Sequence, residues 1–221
     1  MQRLVKSNKM AITEFVFPRL NRDPSLLQEL RKVLPPAAKV TFSDVPGLLS
    51  YYRGKVVKAE NIAGNADVEH SGLVLALEWD HVSSFNAFWI SEKFASFRDV
   101  MKPYLLGPVA PDLFTSDNQS QSGGTTTSKY TQYIKVSGIK GPDTQVEGAW
   151  NALIVELDSQ KTPSFSAWGV QDTDAFAGML GWSSLEESET AIALPSVKAC
   201  LEKLSAYGPV SSYVLELEKQ E

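Results

Sequence analysis

The chain has 221 residues, 43% hydrophobic and 21% charged, with a formal net charge of -5, a composition that excludes disordered and collagen-like chains. No Lys/Arg cluster is longer than a pair, which argues against a nucleic-acid partner. No segment reaches the ~20 apolar residues of a membrane span, and Met1 to Met10 has no apolar run of signal-peptide length, so a cytoplasmic protein without a membrane partner is expected.

In chain order, Ile12 to Arg19 alternates and predicts a strand. Asp23-Pro24 opens a helix with Leu26, Leu27, Leu30, Val33 and Leu34 inward, and Pro35-Pro36 is expected to stop it. Leu48 to Val57 and Ser71 to Trp79 predict two strands. In the second of these, Leu73, Leu75, Leu77 and Trp79 alternate against Val74, Ala76 and Glu78. Asp80 is placed to cap the next helix, whose Val82, Phe85, Phe88, Trp89, Phe94, Phe97, Met101 and Tyr104 recur by threes and fours, with a kink expected near Ser91. Gly107-Pro108 ends it before a strand from Val109 to Phe114.

Thr115 to Lys129 contains no hydrophobic residue, and 116–128 is read as a flexible linker. It separates a first unit, 1–115, from a second, 129–221, that repeats the same order of elements. Tyr130 to Val136 is a strand; Val146, Ala149, Trp150, Leu153, Ile154 and Leu157 form one helix face. Phe165 to Val170 and Phe176 to Trp182 are strands, and a helix to Tyr207 and a strand from Val210 to Leu217 close the unit. Cys200, the single cysteine, falls on the apolar face of that last helix with Val197, Leu201 and Leu204 and is read as core. One common offset superposes Trp79 on Trp182 and Tyr104 on Tyr207, and after a two-residue gap Gly107-Pro108-Val109 falls on Gly208-Pro209-Val210. The halves are therefore repeats of one βαββαβ unit.

The segments VPGLLSYYRG (Val45 to Gly54) and ALEWDHVSSFNAFWISEKFASF (Ala76 to Phe97), with SAWGVQ and MLGWSSLEES in the second half, resemble fungal dimeric α/β-barrel proteins of the antibiotic-biosynthesis-monooxygenase-like class. The resemblance implies an α+β fold: two tandem ferredoxin-like units whose sheets close into a barrel inside one chain, with ligand cavities in the helix-sheet layers. It also implies a monomer or homodimer. Relatives of this class include cofactor-free monooxygenases, cyclases, decarboxylases and isomerases. The expected function is thus a cofactor-independent enzyme of secondary metabolism acting on a hydrophobic, polyketide- or terpenoid-like substrate. The alternative is a non-catalytic small-molecule binding or stress-associated barrel.

The residues point the same way without fixing the reaction. Only two histidines, His70 and His81, are present, which rules out a three-histidine metal site, and no GxGxxG, P-loop or GxSxG stretch occurs; no metal and no cofactor are expected. His70 sits in an acidic turn with Asp67 and Glu69 and reads as solvated. His81, where a strand passes into a helix, is a candidate general acid or base. Glu78, of opposite parity to Leu77 and Trp79, is a second candidate, with a structural ion pair to Arg53 as the other reading. Tyr51 is the third, and it shares a strand face with Arg53 while Tyr52 looks the other way. Tyr52, Arg53, Trp79, Phe85, Phe88, Trp89 and Phe97 are the expected substrate-binding residues. The aromatic first-half helix, set against Ile192, Val197, Leu201 and Leu204 in the second half, marks the first unit as the ligand half.

Overall fold

Residues 11–61, 72–115, 122–140, 143–157 and 161–220 are described in a computed structural model of the chain. His70 and its acidic turn, and the stretch 116–121, lie outside them.

Alternation along each strand gives it one face for helices and one for a second sheet, and both faces are used. The first unit contributes β1 (Ile12–Val16), α1 (Pro24–Phe42), β2 (Leu48–Asn61), β3 (Leu73–Trp79), α2 (Val82–Trp89), α3 (Glu92–Met101) and β4 (Asp112–Thr115). A short helix, α4 (Gly123–Thr126), leads into β5 (Tyr130–Val136), α5 (Asp143–Leu157), β6 (Ser164–Gly169), β7 (Phe176–Trp182), α6 (Leu185–Ala193), α7 (Pro195–Ser205) and β8 (Val210–Lys219). The strands close a barrel in the order β1-β3-β2-β8-β5-β7-β6-β4, all pairs antiparallel. Each half is a four-stranded ferredoxin-like sheet, and closure removes every edge that would otherwise seek a partner.

The two seams between the halves are unequal. β2 and β8 pair from Tyr52↔Lys219 to Asn61↔Ser211, whereas β4 and β6 share two pairs, Phe114↔Gly169 and Thr115↔Trp168. At the long seam Gly54 packs against the partner backbone: a Cβ there would lie 2.3 Å from the Glu216 carbonyl oxygen. Inside the barrel Phe15, Tyr52, Phe114, Tyr133, Phe165 and Met179 are buried in one cluster, so the eight-stranded interior is filled by side chains.

Three local expectations change. Pro35 and Pro36 do not end α1, which continues to Phe42. The prolines remove donors, but Leu30, Leu34, Ala38 and Phe42 recur every four residues and are all buried, so packing carries the helix across them. The break near Ser91 is complete: α2 ends at Trp89, and the Ser91 hydroxyl accepts from the Phe94 N–H to cap α3. His81, not Asp80, occupies the N-cap of α2, and Asp80 instead accepts a 2.6 Å bond from the Ser84 hydroxyl.

The second part of the segment read as a flexible linker is built into the barrel. Ser122, Thr125 and Thr126 are buried at the end of the barrel interior. Ser122 donates to Glu78 Oε1 at 2.5 Å, Thr13 donates to Ser122 at 3.2 Å, and the Thr131 hydroxyl donates to the Thr125 carbonyl at 2.8 Å. Hydroxyls with carboxylate, carbonyl and hydroxyl partners can be buried without an apolar side chain, which a reading based on apolar content alone overlooks.

Candidate functional site

β1 reads Ile12, Thr13, Glu14, Phe15, Val16. Phe15 lies in the barrel cluster, while Ile12 and Val16 pack with the helices of the first unit. Parity therefore puts Glu14 on the helix-facing side of the sheet, in a row of apolar residues on its own strand and beside Leu77 on the next. It is 5% exposed, and its Oε2 accepts a 2.8 Å hydrogen bond from the indole Nε1 of Trp79, itself fully buried. Burial pushes the Glu14 carboxyl up to about 7, with the indole bond pulling the other way. At neutral pH the group is divided between its two protonation states, the condition that suits a general acid or base.

Above Glu14 the first helix-sheet layer is hollow. A cavity of about 670 Å³ has Glu14, Leu75 and Leu77 on the sheet side and Phe42, Phe88 and Phe97 on the helix side. This volume is within the range of small-molecule sites, and the sparse polar lining is typical of them. Toward solvent the wall passes to Arg98, Asp99, Lys102 and Leu106, all exposed. Among the described residues no three His, Cys, Asp or Glu side chains gather as metal ligands.

The residues singled out from sequence divide among three environments. Phe88, Trp89 and Phe97 line the cavity. Trp79 and Phe85 stand behind them in the same core, their rings edge-to-face at 5.9 Å between centroids, and the Trp79 indole donates to Glu14. Tyr51 shares the helix-facing side: the register Glu14↔Leu77↔Tyr51 puts both residues in one row, roughly 10 Å apart across two strand spacings. Phe42 stacks on Tyr51 at 4.4 Å, between it and the cavity. The buried Tyr51 hydroxyl has no hydrogen-bond partner among the described residues, and burial raises it to about 12 against the pull of Arg53, so it stays a proton donor.

The others lie elsewhere. Glu78 and Tyr52 face the barrel interior; Glu78 accepts from Ser122 and Thr126 instead of pairing with Arg53, which sits on the opposite face beside Leu75. His81 is half-buried at the N-cap of α2, makes no side-chain capping bond and does not line the cavity. Of these two buried carboxylates, Glu14 on β1 lines the cavity and Glu78 on the neighbouring β3 does not. Glu14 could have been found from parity, as the one charged residue on an otherwise apolar strand face.

The second layer supplies an internal comparison. β5 pairs with β7 as β1 pairs with β3, which sets Gln132 opposite Leu180 as Glu14 is opposite Leu77. Trp182 Nε1 donates to Gln132 Oε1 at 3.1 Å, repeating the Trp79 to Glu14 contact with a neutral acceptor. The cavity beside Gln132 is about 230 Å³ and is bordered by Lys58, Glu60, Glu189 and Lys198.

No protein-family model and no curated protein matches the chain. Among solved structures, an anthrone oxidase-like protein is similar over 97% of this chain and 94% of its own, with 13% identity and a TM-score of 0.64. A proposed monooxygenase from Fusobacterium nucleatum is similar over 97% and 95%, with 8% identity and a TM-score of 0.61. Another from Lactobacillus acidophilus covers 96% and 97%, at 10% identity and a TM-score of 0.56. Identities this low speak to architecture alone, and that architecture is the dimeric α/β barrel, here closed within a single chain.

Proposed function

We propose that the chain binds a flat, hydrophobic small molecule in the first-layer cavity and moves a proton to or from it with Glu14, in chemistry that needs no cofactor. The observation that carries this reading is a buried carboxyl poised at about 7 on the floor of a 670 Å³ apolar cavity. In its ionised form Glu14 takes a proton from a carbon or hydroxyl acid; in its neutral form it returns one. Trp79 fixes the carboxyl orientation, and the aromatic walls hold the substrate in a reactive conformer and exclude water. Return of the proton to a different carbon is an isomerisation. Attack of the enolate on a carbonyl of the same molecule is a cyclisation.

The likeness to an anthrone oxidase-like protein suggests a third outcome. Loss of a proton from anthrone leaves an electron-rich anion that dioxygen oxidises, anthrone plus dioxygen giving anthraquinone plus water. Anthrone and 2-tetralone are accordingly suitable probes, both flat, apolar carbon acids. The test follows their deuterium exchange by NMR without oxygen, with wild type and with Glu14→Gln, which keeps an acceptor for Trp79 as Gln132 does for Trp182. Acceleration by wild type that falls by about 10²-fold or more in the variant supports the reading, that being the usual range for one general base. Binding of the probes with no acceleration by wild type overturns catalysis and leaves a carrier.

A further inference from the structure

We infer that the natural ligand of the first-layer cavity is amphipathic, carrying an anionic group at its solvent end that Arg98 and Lys102 receive; this rests on that cavity being the ligand site. Arg98 and Lys102 are four residues apart, at the end of α3 and in the turn after it, so they share one helix face, and both line the cavity wall where it meets solvent. The Arg98 guanidinium lies 5.2 Å from the ring centre of Phe94 and 5.8 Å from that of Trp89. Both rings are cavity walls, so the cation is held at the opening by its aromatic neighbours. Neither Arg98 nor Lys102 is in an ion pair among the described residues.

Among the described residues the only carboxylate beside them in the wall is Asp99, which leaves these three side chains with one excess positive charge. The other acidic group, Glu14, is at the sheet side of the cavity. An anionic ligand group placed inward would meet that carboxyl in an apolar surrounding, where like charges repel strongly. Placed outward it meets the planar Arg98 guanidinium and, on the same helix face, the Lys102 ammonium. The polarity of the site therefore sets the ligand's direction: apolar rings inward, with the acidic atom toward Glu14, and a carboxylate, sulfonate or phenolate at the rim.

Two fluorescent probes with the same aromatic body isolate this claim: 8-anilinonaphthalene-1-sulfonate and its uncharged counterpart N-phenyl-1-naphthylamine. Titrations at low salt are expected to show the sulfonate binding more tightly, by roughly fivefold, an exposed ion pair's worth. The Arg98→Gln/Lys102→Gln double variant, altered only at exposed positions, is expected to lose that preference while binding the neutral probe as before, and added salt should have the same effect. Equal affinity of wild type for both probes, unchanged in the double variant, overturns the inference and leaves the cavity reading standing. Binding of neither probe, or binding that Leu105→Trp at the cavity wall does not impair, overturns the cavity reading and this inference with it.

Discussion

The two helix-sheet layers share one order of elements and one strand register, yet they are packed differently. In the second layer Trp150 lies flat on Gly178, so close that a Cβ on the glycine would sit 2.2 Å from the indole. Register makes Gly178 the counterpart of Leu75, since each lies two residues inward of the row that holds Gln132 or Glu14. At this row the second layer fills its space with one large ring, backed by Leu153, Leu157 and Leu204, all fully or almost fully buried, and its cavity is about 230 Å³ against 670 Å³ in the first. The first layer places rings around its perimeter, Phe42, Phe88, Phe94 and Phe97 at centroid separations of 4.9 to 6.2 Å, and leaves the middle empty. Number of aromatic residues does not decide whether a layer is solid or hollow. Placement does, and the hollow layer is the one with an ionisable group at its floor.

A single substitution makes the first layer chemically like the second. Glu14→Gln is expected to lower any turnover of a carbon-acid substrate by about 10² to 10⁴-fold while preserving ligand binding, and the wild-type rate should climb with pH to a plateau above about 7, where the carboxyl is ionised. Steady-state kinetics across pH 5 to 9 checks both. Next in size are the packing effects. Trp150→Ala opens a void in the solid layer and should cost about 3 to 5 kcal/mol by urea unfolding. Phe94→Ala, whose ring borders empty space on one side and is half-buried, should cost less, about 1 to 2 kcal/mol. Equal costs would mean that the first-layer cavity is not there in solution.

A third effect is the pH dependence of stability. Glu14 has a folded-state value raised above that of the unfolded chain, from 4.5 to about 7. Between those values the folded state holds a proton that the unfolded state has lost, so stability falls as pH rises from about 4.5 to about 7 and is level above that, by about 3 kcal/mol in all. Glu14→Gln should remove this slope, which denaturation at pH 5 and pH 8 would read. The smallest effect concerns His81. It stands at the N-cap of α2 without a capping bond, whereas Ser184 at the matching place accepts from the Glu187 N–H at 3.1 Å. His81→Ser should therefore raise stability by about 0.5 to 1 kcal/mol. A loss of turnover in that variant would instead return His81 to the site.

Much of the architecture was legible because it depends on periodicity. The repeated Trp, Tyr and Gly-Pro-Val landmarks identify two equivalent units, and strand alternation gives the two faces that helices and barrel require. The features that escaped are those set by contacts distant in sequence. Helix α1 crosses its prolines because Phe42 is wanted in the first-layer core, and the polar stretch at Ser122 to Thr126 is ordered because Glu78 and Thr13 offer it partners. Parity correctly set Glu78 apart from Leu77 and Trp79, but it did not say which of the two faces carries the cavity. Glu14 does not stand out in the sequence because a carboxylate on an apolar strand face signals something only once the depth of that face is known; the match of Thr13-Glu14-Phe15 to Thr131-Gln132-Tyr133 is the clue the chain itself carries.

A proton-transfer role requires Glu14 to be a desolvated carboxyl that titrates near neutrality, and its titration tests this without knowledge of any substrate. With side-chain carboxyl ¹³C labelling of glutamate, the resonance missing in Glu14→Gln is assigned to Glu14 and followed with pH. A midpoint near 7, shifting further when an apolar ligand displaces water from the cavity, is the predicted result. A midpoint in the ordinary carboxylate range would show that the group is solvated, and would contradict the proton-transfer role assigned to it.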